Sequence, residues 1–422
     1  TRWLSDWSSD VCSSDLLQKM KHLSATLLLI LILSFTSTGQ EISDTLQIEE
    51  VVVTGSRIEI ARRNLAMTVS TVSGEQIEMS NESSILPILS QRIPGLFVTE
   101  RGITGFGVGP GSAGQISMRG VGGTSPNTQV LVLIDGHPQF QGLFSHPLSD
   151  AYVASDVARV EVIRGPASIL YGSGAMAGVI NIITRQQEEE GFSGNARVSY
   201  GSHNTQKYMA SGGLNRGRFS VFASVNHDRT DGHRPTSDFQ ILNSYLKAGY
   251  KLNENINITG DFGIADFTAN DPGSVFNPAV FGIDVMRGRA SLSVKNSFEN
   301  TEGGIIGFYN FGKHEFTNGW ISEDYHAGIT IYQGISLFEG NRITVGADYM
   351  RVSGIANNVP PAAANIWHNV SGTAAYAYMH QTLLERWVPS AGLRLEYNSM
   401  FGRELIPQAG LSFRSEEHTS EL

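Results

Sequence analysis

The sequence predicts a transmembrane antiparallel β-barrel that follows a small α+β domain. From Phe192 to Phe413 every segment alternates between apolar and polar residues, which is the period of a strand with two different faces. About twelve such segments of roughly ten residues occur, the length that a tilted strand needs to cross a bilayer. The chain also contains 46 glycines among 422 residues, above the ordinary usage of about 7%. Abundant glycine with alternating aromatics is typical of β structure.

Composition excludes several classes of protein. Lys and Arg number 30 against 40 Asp and Glu, and the net charge of -10 argues against a nucleic-acid binder. The only cysteine, Cys12, excludes a disulfide scaffold and a cysteine-based zinc site. With 41% hydrophobic residues and a mean hydropathy of -0.10, the chain is too polar for a bundle of transmembrane helices.

Both ends of the chain look foreign to the protein. Residues 5–16 read SDWSSDVCSSDL and residues 414–422 read RSEEHTSEL. Both stretches resemble translated sequencing adapters. We therefore treat residues 1–19 and 414–422 as non-native and leave them out of the fold prediction.

An export signal begins at Met20. Lys21 supplies a positive start, residues 27–33 an apolar core, and residues 37–39 the small side chains of a cleavage region near Gln40. We expect residues 20–39 to be a signal peptide and the protein to be exported. A short buried helix is the alternative.

Residues 40–66 form a polar linker with one apolar stretch. Ile48 and residues 51–53 are apolar, and no second strand pattern lies nearby. We predict a lone strand that can be added to the sheet edge of another protein. The pattern allows equally a first strand that folds into the protein's own domain.

Residues 67–185 combine helical and strand signals. Ser73 with Gln76 predicts a capping box at the start of a short helix, and Ser83 or Ser84 begins a second helix that stops at residues 94–95. Apolar runs at residues 116–118, 130–134, 160–163 and 179–183 predict strands. This length suffices for a small domain with one core.

Connection lengths separate a membrane barrel from a soluble β-sandwich, whose strands would also alternate. Residues 215–217 and 253–255 are short connections, whereas residues 227–239 and 269–287 are long. Short turns on one rim and long loops on the other are typical of outer-membrane barrels, so residues 192–413 are predicted to be barrel strands.

Aromatic residues fall near the predicted strand ends, as the two interfacial girdles of a membrane barrel require. They are Tyr250, Phe267, Trp320, Tyr325, Tyr349, Trp367, Trp387 and Tyr397. We expect these side chains to face outward.

Several motifs resemble the TonB-dependent outer-membrane receptors. Residues 163–184, reading IRGPASILYGSGAMAGVINIIT, are similar to the family's plug-to-barrel signature almost throughout. Shorter matches lie at residues 92–96, 117–120 and 133–136. Together with the apolar stretch of the linker, the resemblance spans about residues 48–185.

The resemblance assigns three groups of site residues. The segment that resembles the TonB box is Glu49, Glu50, Val51, Val52, Val53, Thr54 and Gly55. The plug signature includes Arg119, Gly120, Asp135, Gly136, Arg164, Gly165, Tyr171, Gly172, Gly178 and Asn181. Plug loops 102–115 and 139–146 would face outward and touch a ligand through Phe106, Ser112, Gln115, Gln139, Phe140, Gln141, Phe144 and His146. Alternatively, these loops only fill the lumen.

The interface between plug and barrel carries its own expectations. Arg119 and Arg164 can pair with carboxylates that line a polar lumen, although a satisfied surface charge is the ordinary interpretation of such an arginine. We expect the plug to sit in the barrel through hydrogen bonds and water rather than through a dry core.

The resemblance implies energised import of a scarce ligand, such as a ferric siderophore or cobalamin, across the bacterial outer membrane. The implied partners are TonB with ExbB and ExbD, outer-membrane lipid and the small ligand, with no nucleic acid; we expect a monomer. Residues 40–48 are too few for the extra N-terminal domain of the glycan importers. Import of haem or a glycan, and a passive porin or adhesin barrel, are the alternatives.

The family's barrel has 22 strands, and about twelve fit into this chain. The resemblance therefore implies a truncated, open barrel wall that encloses the plug.

Catalytic and metal motifs are not evident. The eleven histidines form no HExxH or HxH arrangement and no GxSxG elbow occurs, so we expect neither an enzyme nor a cofactor. We predict no metal site either; Asp228, Asp231 and Asp238 are at most weak candidates for calcium, since they lie in one predicted loop.

Overall fold

The computed structural model describes residues 52–53, 57–58, 60–61, 67–100, 105, 114–123, 129–357, 366–384 and 386–413. Within these residues a small α+β domain, the plug, packs against one large antiparallel sheet, the wall. The signal peptide and both ends predicted to be non-native lie outside the described residues.

The plug contains three small sheets. β1 (Val52–Val53) pairs with β2 (Ile60–Ala61). The main sheet has the order β3-β9-β10-β7-β8, and a three-stranded sheet has the order β4-β5-β6. The bounds are β3 Val69–Ser73, β4 Leu96–Val98, β5 Ile116–Met118, β6 Val121–Gly122, β7 Val130–Ile134, β8 His137–Pro138, β9 Val157–Arg164 and β10 Gly178–Thr184.

Three α-helices cover these sheets: α1 (Gly74–Glu78), α2 (Ile85–Arg92) and α3 (Ser168–Tyr171). Three 3-10 turns lie at Ser149–Ala151, Ala154–Asp156 and Ser173–Ala175. The plug has a hydrophobic core of its own, in which Leu86 and Leu89 of α2 pack with Val160, Val162 and Ile180 of the main sheet. This core draws no residue from the wall.

The predicted helix starts are confirmed in detail at the first helix. The Ser73 hydroxyl accepts the Gln76 N–H at 3.3 Å, and the Gln76 side chain accepts the Ser73 N–H at 3.1 Å, so both halves of the capping box are present. Ser84 precedes α2, but its hydroxyl donates to the Ser149 carbonyl at 2.8 Å and does not cap the helix. The second helix is therefore tied to the rest of the plug at its first residue.

The wall is a twelve-stranded sheet in which each strand pairs antiparallel with the next in sequence. Its strands are β11 Gly191–Gly201, β12 Thr205–Arg216, β13 Phe219–Thr230, β14 Phe239–Lys251, β15 Ile256–Gly273, β16 Pro278–Phe298, β17 Thr301–Phe316, β18 Ile321–Ile335, β19 Asn341–Asn357, β20 His368–Gln381, β21 Trp387–Asn398 and β22 Gly402–Phe413. Within the described residues β11 and β22 are not paired with each other, so the wall is open, as predicted.

The two faces of the wall differ as the alternation predicted. Along β13, Phe219, Ala223 and Val225 are exposed on the outer face, whereas Ser220 and Asn226 are buried toward the plug. No helix among the described residues is long and apolar enough to cross a membrane.

Three sequence expectations are wrong. The predicted long loop at residues 269–287 is mostly strand, because β15 and β16 continue to a connection at residues 274–277. Phe267 faces inward and packs with Phe239, Val285 and Val153 of the plug instead of joining an outer girdle. The interface is also partly dry, since Leu133 and Leu170 of the plug share an apolar cluster with wall residues.

The first two errors have separate physical reasons. The outer face of a strand above the lipid is free to be polar, so apolar alternation fades while the hydrogen-bonded ladder continues. The sequence pattern of residues 269–287 therefore predicts a loop, although most of their backbone is strand. Phe267 is buried because the plug supplies an apolar neighbour that a single-strand pattern does not reveal.

Candidate functional site

Asp135 joins the plug to the wall. It lies in the turn after β7 in a left-handed conformation (φ 47°). Its carboxylate accepts the Thr184 N–H at 3.0 Å and the Thr184 hydroxyl, and it forms an ion pair with Lys247 of β14 at 3.0 Å. Burial alone would raise the pKa of Asp135, but Lys247 and the Thr184 donors outweigh it and hold the pKa below its usual value. The carboxylate is therefore charged when the plug is seated.

Other signature residues support the plug's own sheet. The Asn181 side-chain oxygen accepts the Gly136 N–H at 3.2 Å, which fixes the turn that carries Asp135. Gly178 has φ 156°, and a Cβ there would lie 2.3 Å from the Ile163 carbonyl oxygen. Only glycine allows β9 and β10 to approach this closely.

The signature arginines form no ion pair with a carboxylate among the described residues, which agrees with their interpretation as surface charges. Arg164 donates to the Pro94 carbonyl at 3.3 Å, within the plug. Arg119 is exposed, and neither arginine has a carboxylate partner among the described residues. Gly120 and Gly165 are both in positive φ, with open space where a Cβ would lie.

Arg57 forms a contact that the sequence pattern did not reveal. Its guanidinium donates to the Leu170 carbonyl at 2.8 and 2.5 Å, pairs with Asp348 of β19 at 3.4 Å, and lies 4.7 Å from the Tyr171 ring. Although burial works against the charge, Asp348 raises the pKa of Arg57 above its usual value. Gly172, one residue further on, has φ 84° and a Cβ there would lie 3.3 Å from the guanidinium of Arg394. A lone arginine in a linker gives no signal that would have identified this anchor.

The segment that resembles the TonB box is described only in part. Val52 and Val53 pair with Ala61 and Ile60, so the expectation of a strand with no partner nearby is wrong. The linker turns back on itself within a few residues and supplies the second strand. Glu49, Glu50, Val51, Thr54 and Gly55 lie outside the described residues, as do Phe106 and Ser112 of the first plug loop.

The second plug loop, residues 139–146, contacts β17 and β18. Gln139 donates from its side chain to Asn310 at 3.1 Å, and the Phe140 ring stacks on His326 at 4.2 Å. Phe144 is half exposed and lies 6.0 Å from the Trp320 ring. The loop therefore presents an aromatic side chain beside an aromatic side chain of the wall.

Buried polar groups lie under this aromatic pair. Gln141 is fully buried, and its side-chain oxygen accepts the N–H groups of residues 143 and 144. Burial, followed by the Arg287 guanidinium, lowers the pKa of His146 to about 4. His146 is therefore neutral at pH 7. Gln115 is separate: its backbone pairs with Thr99 at the start of β5.

The three aspartates named as weak calcium candidates are not brought together. Asp228 is buried in β13, Asp231 pairs with the exposed Arg229 at 2.8 Å, and Asp238 accepts from Asn270 at 2.9 Å. Among the described residues no group of three or more acidic, histidine or cysteine side chains is placed to hold a metal ion.

Comparison with known families settles the class of the small domain. The family model described as "TonB-dependent Receptor Plug Domain" matches residues 61–179. The small domain therefore belongs to the plug domains of TonB-dependent receptors. Receptors of this family are outer-membrane proteins and not enzymes.

The chain resembles curated relatives over more than the plug. It is 29% identical over 280 residues to the vitamin B12 transporter BtuB of Vibrio vulnificus, which corresponds to 64% of this chain and 41% of that protein. It is 34% identical over 159 residues to the iron-regulated outer membrane virulence protein of Vibrio cholerae, covering 36% of this chain and 22% of that protein. The chain thus spans less than half the length of these relatives.

Solved structures confirm the fold of the receptor. The siderophore receptor PirA of Pseudomonas aeruginosa aligns with a TM-score of 0.65 at 19% identity, over 83% of this chain and 59% of that one. The ferric yersiniabactin uptake receptor FyuA of Yersinia pestis aligns with a TM-score of 0.65 at 15% identity, over 82% of this chain and 61% of that one. The fold, a small domain packed against an antiparallel wall of barrel strands, is therefore shown for the described residues.

Proposed function

We propose that the protein imports a scarce ligand, a ferric siderophore or cobalamin, across the outer membrane with energy delivered through TonB. In this proposal residues 20–39 are the export signal, residues 40–66 carry the TonB box, residues 67–185 are the plug, and residues 192–413 are the first part of the barrel. The receptor works as a monomer.

The observation that carries the proposal is that the plug contacts opposite ends of one wall strand. The Gly142 N–H donates to Asp324 near the start of β18 at 2.8 Å. Ile58, next to the TonB box, lies against Gly334 near the end of that strand, where a Cβ would come within 2.6 Å of the Ile58 side chain. Asp324 and Gly334 are ten residues apart, which is about 33 Å along a strand.

This separation suits a receptor that binds on one side of a membrane and is energised on the other. A ligand would bind beside Phe144 and Trp320, at the rim where residues 317–320 connect two strands. Ile58, which follows the TonB box in the sequence, lies near the opposite rim, where residues 336–340 form the connection. TonB, driven by ExbB and ExbD, would pair with Val52 and Val53 as an added strand. The two-residue pairing of β1 with β2 is short enough to be replaced.

The choice of ligand class rests on the relatives. The names of two of them include vitamin B12 and iron regulation, and solved neighbours are titled siderophore receptors. These names support a small ligand that is carried whole, and they leave cobalamin and a ferric siderophore as the two candidates.

Deletion of the TonB box tests the proposal in the full-length receptor. Cells that depend on the receptor for cyanocobalamin or for ferric enterobactin should stop growing when residues 49–55 are deleted, while binding of the same compound at the cell surface stays unchanged. Deletion of residues 42–48, which has the same length and leaves the box intact, is the control. Unchanged uptake without residues 49–55 would refute energised import and favour a passive porin. Growth only on haem or on a glycan would refute the ligand class.

A further inference from the structure

A buried ion pair in the wall lies directly under plug loop 139–146. Arg287 of β16 donates to both carboxylate oxygens of Asp324 of β18, at 2.9 and 2.8 Å. The exposed fractions of the two side chains are 9% and 0%. Two side chains from the strands on either side of β17 thus form a fixed ion pair that faces the plug.

Both members of this pair bond to the backbone of the loop. The Gly142 N–H donates to Asp324 at 2.8 Å, and the Arg287 guanidinium donates to the Phe140 carbonyl at 3.4 Å. The fit is also close in shape, because a Cβ on Gly354 of β19 would lie 2.7 Å from Leu143. Asp324 thus accepts hydrogen bonds from Arg287 and from the loop backbone at the same time.

The rest of the loop is rigidly connected to this attachment. The Gln141 side chain accepts the N–H groups of Leu143 and Phe144 at 2.9 and 2.6 Å, and the Gln141 N–H donates to the His146 carbonyl at 2.9 Å. Any shift at Gly142 would move Phe144 relative to Trp320.

We propose that Arg287 and Asp324 are positioning residues for ligand recognition: by holding the backbone of loop 139–146 they place Phe144 beside Trp320. Neither residue needs to touch the ligand. This inference rests on the proposed function, since it assumes that the ligand binds at the plug loop.

Two variants separate loop positioning from support of the wall. Asp324→Ala removes the acceptor of the Gly142 N–H. The exchange Arg287→Asp with Asp324→Arg restores opposite charges within the wall, but an arginine at position 324 cannot accept from Gly142. Glu302→Ala is the matched control, because Glu302 pairs with Arg342 at 3.0 Å between wall strands near the opposite rim.

The full-length receptor in detergent would be measured in two ways: affinity for cyanocobalamin and ferric enterobactin, and hydrogen exchange of the loop amides. Asp324→Ala and the charge exchange should each weaken binding by roughly ten- to a hundredfold, the value of a hydrogen bond to a charged group. The Gly142 amide should exchange faster in both variants, and Glu302→Ala should change neither reading.

The proposal would be overturned if the double variant Arg287→Asp with Asp324→Arg kept wild-type affinity and slow hydrogen exchange at Gly142. The ion pair would then stabilise only the wall. If the wild type binds neither compound, the proposed function fails. The exchange of the Gly142 amide then still decides whether the pair fixes the loop.

Discussion

The ion pair between Asp135 and Lys247 gives the sharpest test of how the plug is held. Asp135→Asn keeps the shape of the side chain and removes its charge. Lys247 would stay largely buried, with a side chain 8% exposed and no carboxylate at 3.0 Å. Thr184 would lose the charged acceptor of its N–H.

The expected cost follows from that unpaired ammonium. Removing one partner of a buried ion pair destabilises a protein by about 3–5 kcal/mol, because the other charge stays buried. Replacing both partners with apolar residues, Asp135→Leu with Lys247→Met, should cost far less or nothing. The exposed pair of Arg229 and Asp231, with side chains 41% and 56% exposed, provides the contrast. Asp231→Asn should leave the stability essentially unchanged, because solvent screens an exposed ion pair.

Protease resistance of the plug during urea titration measures these differences in the full-length receptor. The pH dependence gives an independent reading with a defined sign. The pKa of Asp135 is lower in the folded state than the value of about 3.9 in an unfolded chain. Its stabilising contribution is therefore complete above about pH 4 and is lost as the pH falls further.

Asp135→Asn should lose this acid sensitivity along with the stability. A cost no larger than that of Asp231→Asn, or an equal cost in the apolar double variant, would refute the assignment of Asp135 and Lys247 as a plug-to-wall anchor.

Four other substitutions test single positions, with Gly165→Ala as the comparison for Gly178→Ala. Arg57→Met removes the ion pair with Asp348, so a cysteine placed in the TonB box should react faster with a thiol reagent. Gly178→Ala should lower the free energy of unfolding of the plug by more than about 3 kcal/mol, since the added Cβ would lie 2.3 Å from a backbone oxygen. Gly165→Ala has open space around the added Cβ, so it should cost only the roughly 1–3 kcal/mol of backbone strain. Burial lowers the pKa of His137 to about 4, below the value of about 6.5 in an unfolded chain. The melting temperature should therefore fall as the pH is lowered from about 6.5 to about 4, and it should fall less steeply in His137→Phe.

The fold was predictable because its signals are local. A capping box needs only Ser73 and Gln76, and the inward and outward faces of β13 follow from alternation within a dozen residues. The wall's strand number follows from repeating that pattern. Gly178 was named from the resemblance, and the structure shows that the close approach of the Ile163 carbonyl oxygen there admits no other residue.

The anchors between plug and wall were not predictable in the same way. Arg57 meets Asp348 and Gly142 meets Asp324 across 291 and 182 residues of chain. No periodicity relates such positions. Arg119 and Arg164 show the same limit, since a sequence indicates that an arginine can pair with a carboxylate but not which carboxylate faces it. Asp135 was named from the signature, but its partner Lys247 was not.

The positions of the apolar clusters indicate which part of the plug would separate from the wall first under a pulling force. The core around Leu86 and Val160 contains plug residues only, so it can stay intact while the plug moves. The second apolar cluster, by contrast, joins Leu170 and Ile58 to the wall. Arg57 donates to the Leu170 carbonyl at the same place. A pull on Val52 and Val53 would load this contact first, because it comes next along the chain, and only then the main sheet. Opening would therefore begin at the wall-facing side of α3, with the plug's own core still folded.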